Sequence, residues 1–417
     1  MKKTAVILSI CAIFCGLNVE AKTKVKSSKQ AAITKKANKA VNRGKDSSRN
    51  SFISAAQAVL IDYDTGEILY SHNSDEICTP SSMTKLMTLY VLFETLRSGR
   101  ISLDDEWEVS ELAQSMEGSR SFFKAGTKAK VEDLIRSIIV HSGNDACIIV
   151  AEGLYGDESL FVDEMNQKCK DFGLKNSHFA NTTGLPDSEH YSTVADLAVI
   201  AQRIINDFPE YYHYFSEKVF TVNGITQQNR NTLLGNSIGV DGLKTGHTQL
   251  GGYGLVASSN SDNKRMIAVV NGCHTMKDRS LSANKLLAFG YKAFSRLRPL
   301  KAGEPITSVK VWLGDKPEVG ACLKETLSIC VPKKFQDSIK IETKMLEPIE
   351  APIKAGTKVG TLQYSYGEFT SKPYDLFAVS DVNKAQVMQR AKATIEYLIF
   401  GRSEGKAEES TVKNVSK

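Results

Sequence analysis

Ser82-Met83-Thr84-Lys85, within Pro80-Ser81-Ser82-Met83-Thr84-Lys85-Leu86-Met87-Thr88, is the stretch on which the reading of this chain turns. A serine hydroxyl is a weak nucleophile at neutral pH and needs a base within hydrogen-bond reach. Positions i and i+3 of a helix share a face, with Cβ atoms roughly 5–6 Å apart. The long Lys85 stem therefore brings its amine to the Ser82 oxygen within one turn. Leu86, Leu89, Tyr90 and Phe93 follow at helical spacing, so the pair is predicted at the start of a helix over 82–96. The spacing S-x-x-K arises by chance in most chains of this length and gains its meaning from two later motifs.

Ser142-Gly143-Asn144 lies between an apolar helix ending at His141 and another starting near Asp145. Lys244-Thr245-Gly246 lies in VDGLKTGHT, where strand-like text runs into a turn. Taken singly, each reads as an ordinary connection rich in turn residues. Taken in order with Ser82 and Lys85, they form the S-x-x-K, S-x-N and K-T-G set of penicillin-binding proteins and class A β-lactamases.

On these residues the chain resembles the low-molecular-mass penicillin-binding proteins that act as D-alanyl-D-alanine carboxypeptidases. PSSMTKLMT around Ser82, HSGNDA around Ser142, NGITQQNRN around Arg230 and VDGLKTGHT around Lys244 carry the resemblance. It runs from about Ser54 to Phe294, then more weakly through a β domain and an amphipathic tail. Gly143 stands where class A β-lactamases have Asp, which favours the carboxypeptidase branch.

The resemblance implies a role for each residue. Ser82 is the nucleophile that attacks the carbonyl between two D-alanines, and Lys85 is its base. A free lysine amine has a pKa of about 10.4, so Lys85 must be depressed by burial and a nearby cation. Lys244 supplies that charge and orients the site, Ser142 relays a proton to the departing D-alanine, and Asn144 holds Lys85 and the substrate amide. The division of base duty between Lys85 and Ser142 stays open. The backbone amides of Ser82 and His247 are the expected oxyanion donors. Thr245, Gly246, Thr248, Arg230 and Arg279 are the candidates along the substrate and its terminal carboxylate. Arg279 is the weakest, because an arginine at a helix start is more often solvated. The implied activity is removal of the terminal D-alanine from peptidoglycan stem pentapeptides through an acyl-enzyme, with β-lactams as acylating agents and no cofactor.

Three rivals remain in view. A serine β-lactamase needs a carboxylate to activate the deacylating water, commonly in an E-x-x-L-N segment; Glu164-Met165-Asn166 sits at the wrong spacing, and Glu189 is the other acid to consider. A D,D-endopeptidase would cut after the same D-alanine carbonyl. A structural protein with a dead site is opposed by the intact motif residues.

The remainder of the sequence sets the context. Met1-Lys2-Lys3, an apolar stretch over Ala5–Leu17 and Val19-Glu20-Ala21 read as a signal peptide over 1–21. Residues 22–50 are a basic arm expected to be disordered. The first fifty residues carry a net +10, leaving −4 for the rest out of the overall +6. Basicity thus belongs to the leader and arm, and with export this argues against nucleic acid as a partner. The expected location is the periplasm, on the outer face of the cytoplasmic membrane. The seven histidines show no metal-ligand spacing. Six cysteines remain after the leader, too sparse for a disulfide scaffold. Cys322 and Cys330 flank an expected hairpin and are the one candidate bridge.

The fold class expected is α+β. A hairpin over 54–70, helix-rich text to about Phe208, returning strands and a last helix to Phe294 suggest an antiparallel sheet flanked by helices with an all-helical subdomain. This catalytic domain is placed at 51–297, with the boundary near Ser295–Ala302. Short alternating runs then predict a small all-β domain over 298–380. Residues 381–400 form an amphipathic helix, with Val387, Met388, Ala391, Ile395, Leu398 and Ile399 on one face. We expect it to lie on the membrane surface, packing on the β domain being the alternative. Residues 401–417 read as a disordered tail. Two motifs are set aside. Gly235-Asn236-Ser237-Ile238-Gly239 matches G-x-S-x-G but lacks the strand-then-helix context of a nucleophile elbow. His190 is read as packing at the start of a helix rather than as a member of the site.

Overall fold

Asp62 and Gly66 make the first turn of the chain. The Asp62 carboxylate accepts from the Thr65 amide and hydroxyl, both at 3.0 Å, and Gly66 takes φ +69°. This joins β1 (Gln57–Asp62) to β2 (Ile68–His72) as the expected antiparallel hairpin. The computed structural model describes residues 52–236, 238–261, 264–346, 349–388 and 410–411. It divides into two compact units, one through Gly290 and one from Tyr291.

In the first unit a 3-10 turn, Ser81–Thr84, leads into α1 (Lys85–Arg97). The helical subdomain follows: β3 (Glu106–Glu108), α2 (Glu111–Ser115), β4 (Lys128–Lys130), α3 (Val131–Arg136), α4 (Asn144–Tyr155), α5 (Glu158–Asp171) and α6 (Val194–Asp207). A small separate hairpin of β5 (Val219–Val222) and β6 (Ile225–Gln228) precedes three long strands, β7 (Val240–Thr248), β8 (Gly252–Ser261) and β9 (Lys264–Cys273). The helix α7 (Met276–Ala293) follows. The main sheet has the order β2-β1-β9-β8-β7 and is antiparallel throughout. Early and late strands therefore close one sheet around the inserted helices, and β7, which carries the third motif, is its edge.

α1 is the axis of the core. Leu86, Met87, Leu89, Leu92 and Phe93 have no exposed surface, so the helix is apolar on nearly every side, as a fully enclosed helix must be. Phe208 packs edge-on to Tyr90 and Phe93, and Tyr211 stacks on Phe93 at 5.1 Å. Burying each such ring contributes roughly 1.5–3 kcal/mol. The Ser81–Thr84 turn is thus anchored to the buried core of the unit.

Among its described residues the second unit is mainly β, with a 3-10 turn over Lys333–Ser338: β10 (Phe294–Leu300), β11 (Thr307–Trp312), β12 (Glu318–Cys322), β13 (Leu327–Pro332), β14 (Lys340–Met345), β15 (Ile349–Glu350), β16 (Lys358–Tyr366), β17 (Phe369–Thr370), β18 (Tyr374–Ala378) and β19 (Ser410–Thr411). One sheet runs β15-β11-β12-β18-β16-β14-β19, with β17 on β16, and β10 pairs with β13. Val309, Ile329, Val331, Val359, Leu362 and Leu376 form its core.

Several sequence expectations change here. The stretch read as a domain boundary is a strand, β10. Its Pro299 is tolerated because the register slips between Leu297 and Leu300, where no ladder bond is needed. The expected Cys322–Cys330 hairpin does not form. β12 pairs with β11 and β18 while β13 crosses to β10, so the two cysteines are not cross-strand neighbours; both are buried and no disulfide joins them. Ser410 and Thr411, placed by sequence in a disordered tail, pair with the open edge of β14. The signal peptide and basic arm lie outside the described residues. The amphipathic helix placed at 381–400 does not begin at 381: Val382 and Lys384 form β-bridges with Ile353 and Gly314, helix begins at Val387, and the residues after Met388 lie outside those described.

Candidate active site

The turn that carries Ser82 is held from two sides by backbone that leaves no room for side chains. A Cβ on Gly246 of β7 would lie 2.8 Å from the Pro80 carbonyl, and one on Gly184, whose φ is +82°, only 1.9 Å from the Ser81 carbonyl. Ser81 itself adopts φ +51°. These close approaches fix Ser82, half-buried, between the edge strand and the 180–190 segment.

Lys85, the first residue of α1, is completely buried. Its Nζ lies 2.7 Å from Asn144 Oδ1, 2.6 Å from the Thr183 carbonyl and 3.2 Å from Ser82 Oγ. The first two are pure acceptors, since Asn144 Nδ2 is committed to the Glu117 carbonyl at 2.7 Å. A neutral amine has two N–H groups and one lone pair. Giving the two protons to Asn144 and Thr183 leaves the lone pair facing the Ser82 hydroxyl. Burial, aided by the nearby Arg230 guanidinium, pushes the Lys85 pKa down to about 8. The neighbouring Cys147 thiol is itself pushed up to about 12 by burial and supplies no countercharge.

Ser142 is at the hinge between two helices. α3 runs on as a π turn over Ser137–His141, and Ser142 then takes the left-handed conformation, φ +61°. Non-glycine residues there are uncommon and cluster at functional sites. The next residue, Gly143, is glycine, where a Cβ would crowd Asp145 Oδ1 at 2.8 Å and Ser121 Oγ at 3.1 Å. Asp145 is buried and accepts from the amides of Ser121 and Phe123, so it ties the 118–123 loop to α4. Asn144 opens α4 with its amide on the Ser119 carbonyl.

Lys244 reaches from β7 to Ser142, with Nζ 2.9 Å from Oγ, and also meets the Thr245 carbonyl at 3.2 Å. Burial, then the charges of Lys85 and Arg230, drive its pKa well below the usual lysine value. The three motifs thus meet as two lysine–serine pairs, with Asn144 bonded to the lysine of the first. Thr245 is buried, His247 is exposed and stacks on Tyr253 at 3.9 Å, and Thr248 bonds Ser81 Oγ at 3.0 Å. Thr248 also accepts from the Gly251 amide, so its oxygen serves the strand end as well as the cleft. Arg230 donates to Ser119 Oγ at 2.6 Å. Arg279, ranked last among the carboxylate candidates because a helix-start arginine is more often solvated, is 3 % exposed, and its Nη2 donates to the Arg230 carbonyl at 2.8 Å. It backs Arg230 through the main chain.

The family comparison agrees with this geometry. Residues 19–275 match the Peptidase S11 model, described as D-alanyl-D-alanine carboxypeptidase, and 294–384 match the C-terminal domain of penicillin-binding protein 5. The chain belongs to the D-alanyl-D-alanine carboxypeptidase family. Among relatives in this family, DacA of Haemophilus influenzae is 39% identical, over 80% of this chain and 87% of that one. DacD of Salmonella typhimurium is 37% identical, over 81% and 89%. The crystal structure of penicillin binding protein 5 from Haemophilus influenzae superposes with a TM-score of 0.76 at 38% identity, covering 80% of this chain and 98% of that one. Penicillin-binding protein D2 of Listeria monocytogenes, in its cefotaxime-bound form, gives a TM-score of 0.54 at 29% identity over 58% of this chain and 99% of that one.

Other expectations find their places as follows. The G-x-S-x-G stretch is a turn ahead of β7, with Gly239 at φ +68° beside the Asn260 carbonyl; its Ser237 lies outside the described residues. Glu164 pairs with Lys168 along α5. Glu189 offers its main-chain carbonyl to His178 at 2.6 Å. Sequence reasoning missed Thr183, whose contribution is a carbonyl. A signal for it existed: Asn181 Oδ1 accepts from the amides of Thr183 and Gly184, an Asx-type turn announced by Asn-Thr-Thr-Gly.

Proposed function

We propose that this serine D,D-carboxypeptidase works through an acyl-enzyme on Ser82, with Lys85 as the base that removes its proton. The observation that carries the reading is the disposition of Lys85, whose two fixed partners accept protons and whose third partner is the one hydroxyl to be activated. Ser142 and Lys244 then stand on the opposite side, where a proton shuttled from Lys244 through Ser142 reaches the leaving D-alanine nitrogen. Water attack on the ester returns the enzyme, and a β-lactam opened by Ser82 forms the same kind of ester.

The substrate class is a peptidoglycan stem peptide ending in D-alanyl-D-alanine. Its carboxylate meets Thr245, Thr248 and Arg230, with Arg279 behind them. The amides of Ser82 and His247 receive the oxyanion, His247 standing on an edge strand with outward-facing backbone groups. Work on the wall requires export, which the 1–21 leader supports. Among the described residues no helix is long and apolar enough to cross a membrane. Peripheral attachment to the membrane rests on the 381–400 sequence.

Release of D-alanine from a synthetic pentapeptide tests the proposal. The wild-type protein should release it and Ser82→Ala should not. Equal release by both excludes Ser82 as the nucleophile.

A further inference from the structure

We propose that His190 is a positioning residue for the nucleophile: its Nε2–H holds the Thr84 hydroxyl and so fixes the turn that aims Ser82 at Lys85. The inference rests on Ser82 being the acylated residue. His190 is 2 % exposed and Thr84 fully enclosed, with Nε2 and Oγ1 2.7 Å apart. The Ala180 amide donates to Nδ1 at 3.1 Å, so Nδ1 carries no proton. The ring is therefore the Nε2–H tautomer, and the proton it gives goes to Thr84.

Thr84 carries the Ser81–Thr84 turn into α1 with helical backbone angles, φ −46° and ψ −39°, and its side chain makes no bond to the helix amides. Its hydroxyl is held by His190 instead. The same segment grips the turn at three more points: Gly184 against the Ser81 carbonyl, the Thr183 carbonyl on Lys85, and the Thr182 carbonyl on Thr88 Oγ1 at 2.7 Å. His178 and Tyr191 pair across its ends, closing it into a loop. His190 is thus the side-chain bond by which this loop sets the residue between Ser82 and Lys85. Burial holds the imidazole neutral, with its pKa pushed down to about 4; Asp187, His178 and Lys85 are the charged or titratable groups near it.

Asparagine and glutamine separate the two ring nitrogens. Asn at 190 keeps an acceptor for the Ala180 amide and cannot reach Thr84, whereas Gln extends a donor to Thr84. The second-order rate of acylation by a labelled penicillin and the KM for a D-Ala-D-Ala peptide are measured on folded protein. His190→Asn should lower acylation by about 10- to 100-fold, the scale of a displacement near 1 Å at a reacting pair, with KM nearly unmoved. His190→Gln should retain most of the rate. Thr84→Val should match His190→Asn, Thr84→Ser should retain most of the rate, and the double variant should lose no more than either single one. Equal rates for Asn and Gln, or additive losses in the double variant, overturn the proposal. Should His190→Asn not fold, equal rates for Thr84→Val and Thr84→Ser overturn it alone. A wild-type protein that takes no label overturns instead the reading on which the proposal stands.

Discussion

Lys85 Nζ stands 3.2 Å from Ser82 Oγ, and its remaining close partners are the acceptors Asn144 Oδ1 and the Thr183 carbonyl. A guanidinium in place of the amine has no lone pair to offer near neutral pH. Lys85→Arg should therefore lower acylation by about 10²–10⁴-fold, the usual contribution of a general base. Stopped-flow acylation by a chromogenic penicillin measures it.

The same amine predicts a pH profile. With a pKa of about 8, Lys85 is protonated below that value and free above it. Acylation should fall about tenfold per unit as pH drops below about 8, and level off above it. A profile flat between pH 6 and 9 would remove Lys85 from the role of base.

Gly184 is the point of least tolerance beside the nucleophile. Its φ of +82° and the Ser81 carbonyl 1.9 Å from a built Cβ leave no space for alanine. Gly184→Ala should lose more than about 2 kcal/mol of stability, a combination of strained backbone and forced displacement. Thermal unfolding reads the loss, and residual folded protein should acylate slowly because the Ser81–Thr84 turn has moved.

Much of this arrangement could be read from the chain. Ser82, Lys85, Ser142, Asn144 and Lys244 were identifiable because a side chain's chemistry at a fixed spacing is a local property. Gly143 was visible as a departure, but the crowding around it, by Ser121 Oγ as well as Asp145 Oδ1, depends on how the 118–123 loop folds over α4. Thr183 escaped because it acts through a carbonyl, which every residue possesses. The burial of Arg279 was not legible, because helix position says nothing of what packs over a side chain. The β10 strand escaped because Pro299 suppresses a strand reading, and only the slip in register beside β13 makes room for it.

Arg230 carries a prediction about substrate form. Its guanidinium lies on Ser119 Oγ with Arg279 against its own carbonyl. If it receives the substrate carboxylate, Arg230→Gln should raise KM by about 10- to 100-fold for a peptide with a free terminal carboxylate, the scale of one charge-assisted hydrogen bond. The amidated peptide should be hardly affected. An equal change for both peptides would place the carboxylate elsewhere.

His190 links the loop to stability in acid. Burial, its largest cause, holds the folded pKa at about 4, below the unfolded value of 6.5. Between these values the unfolded chain takes up a proton that the native one refuses. Stability should fall as pH drops from about 6.5 to 4 and lose no more from this group below 4. The full loss is on the order of 3 kcal/mol, at about 1.4 kcal/mol per unit. In His190→Gln this part of the acid loss should vanish, which melting curves across pH 4–7 will show.

In the proposed mechanism it is Ser82 that carries the acyl group. Incubating the intact protein with penicillin, digesting it and weighing the peptides locates the adduct directly. A single penicilloyl mass is expected on the peptide containing Ser82, absent in Ser82→Ala. An adduct on any other residue, or none on the wild-type protein, would contradict it.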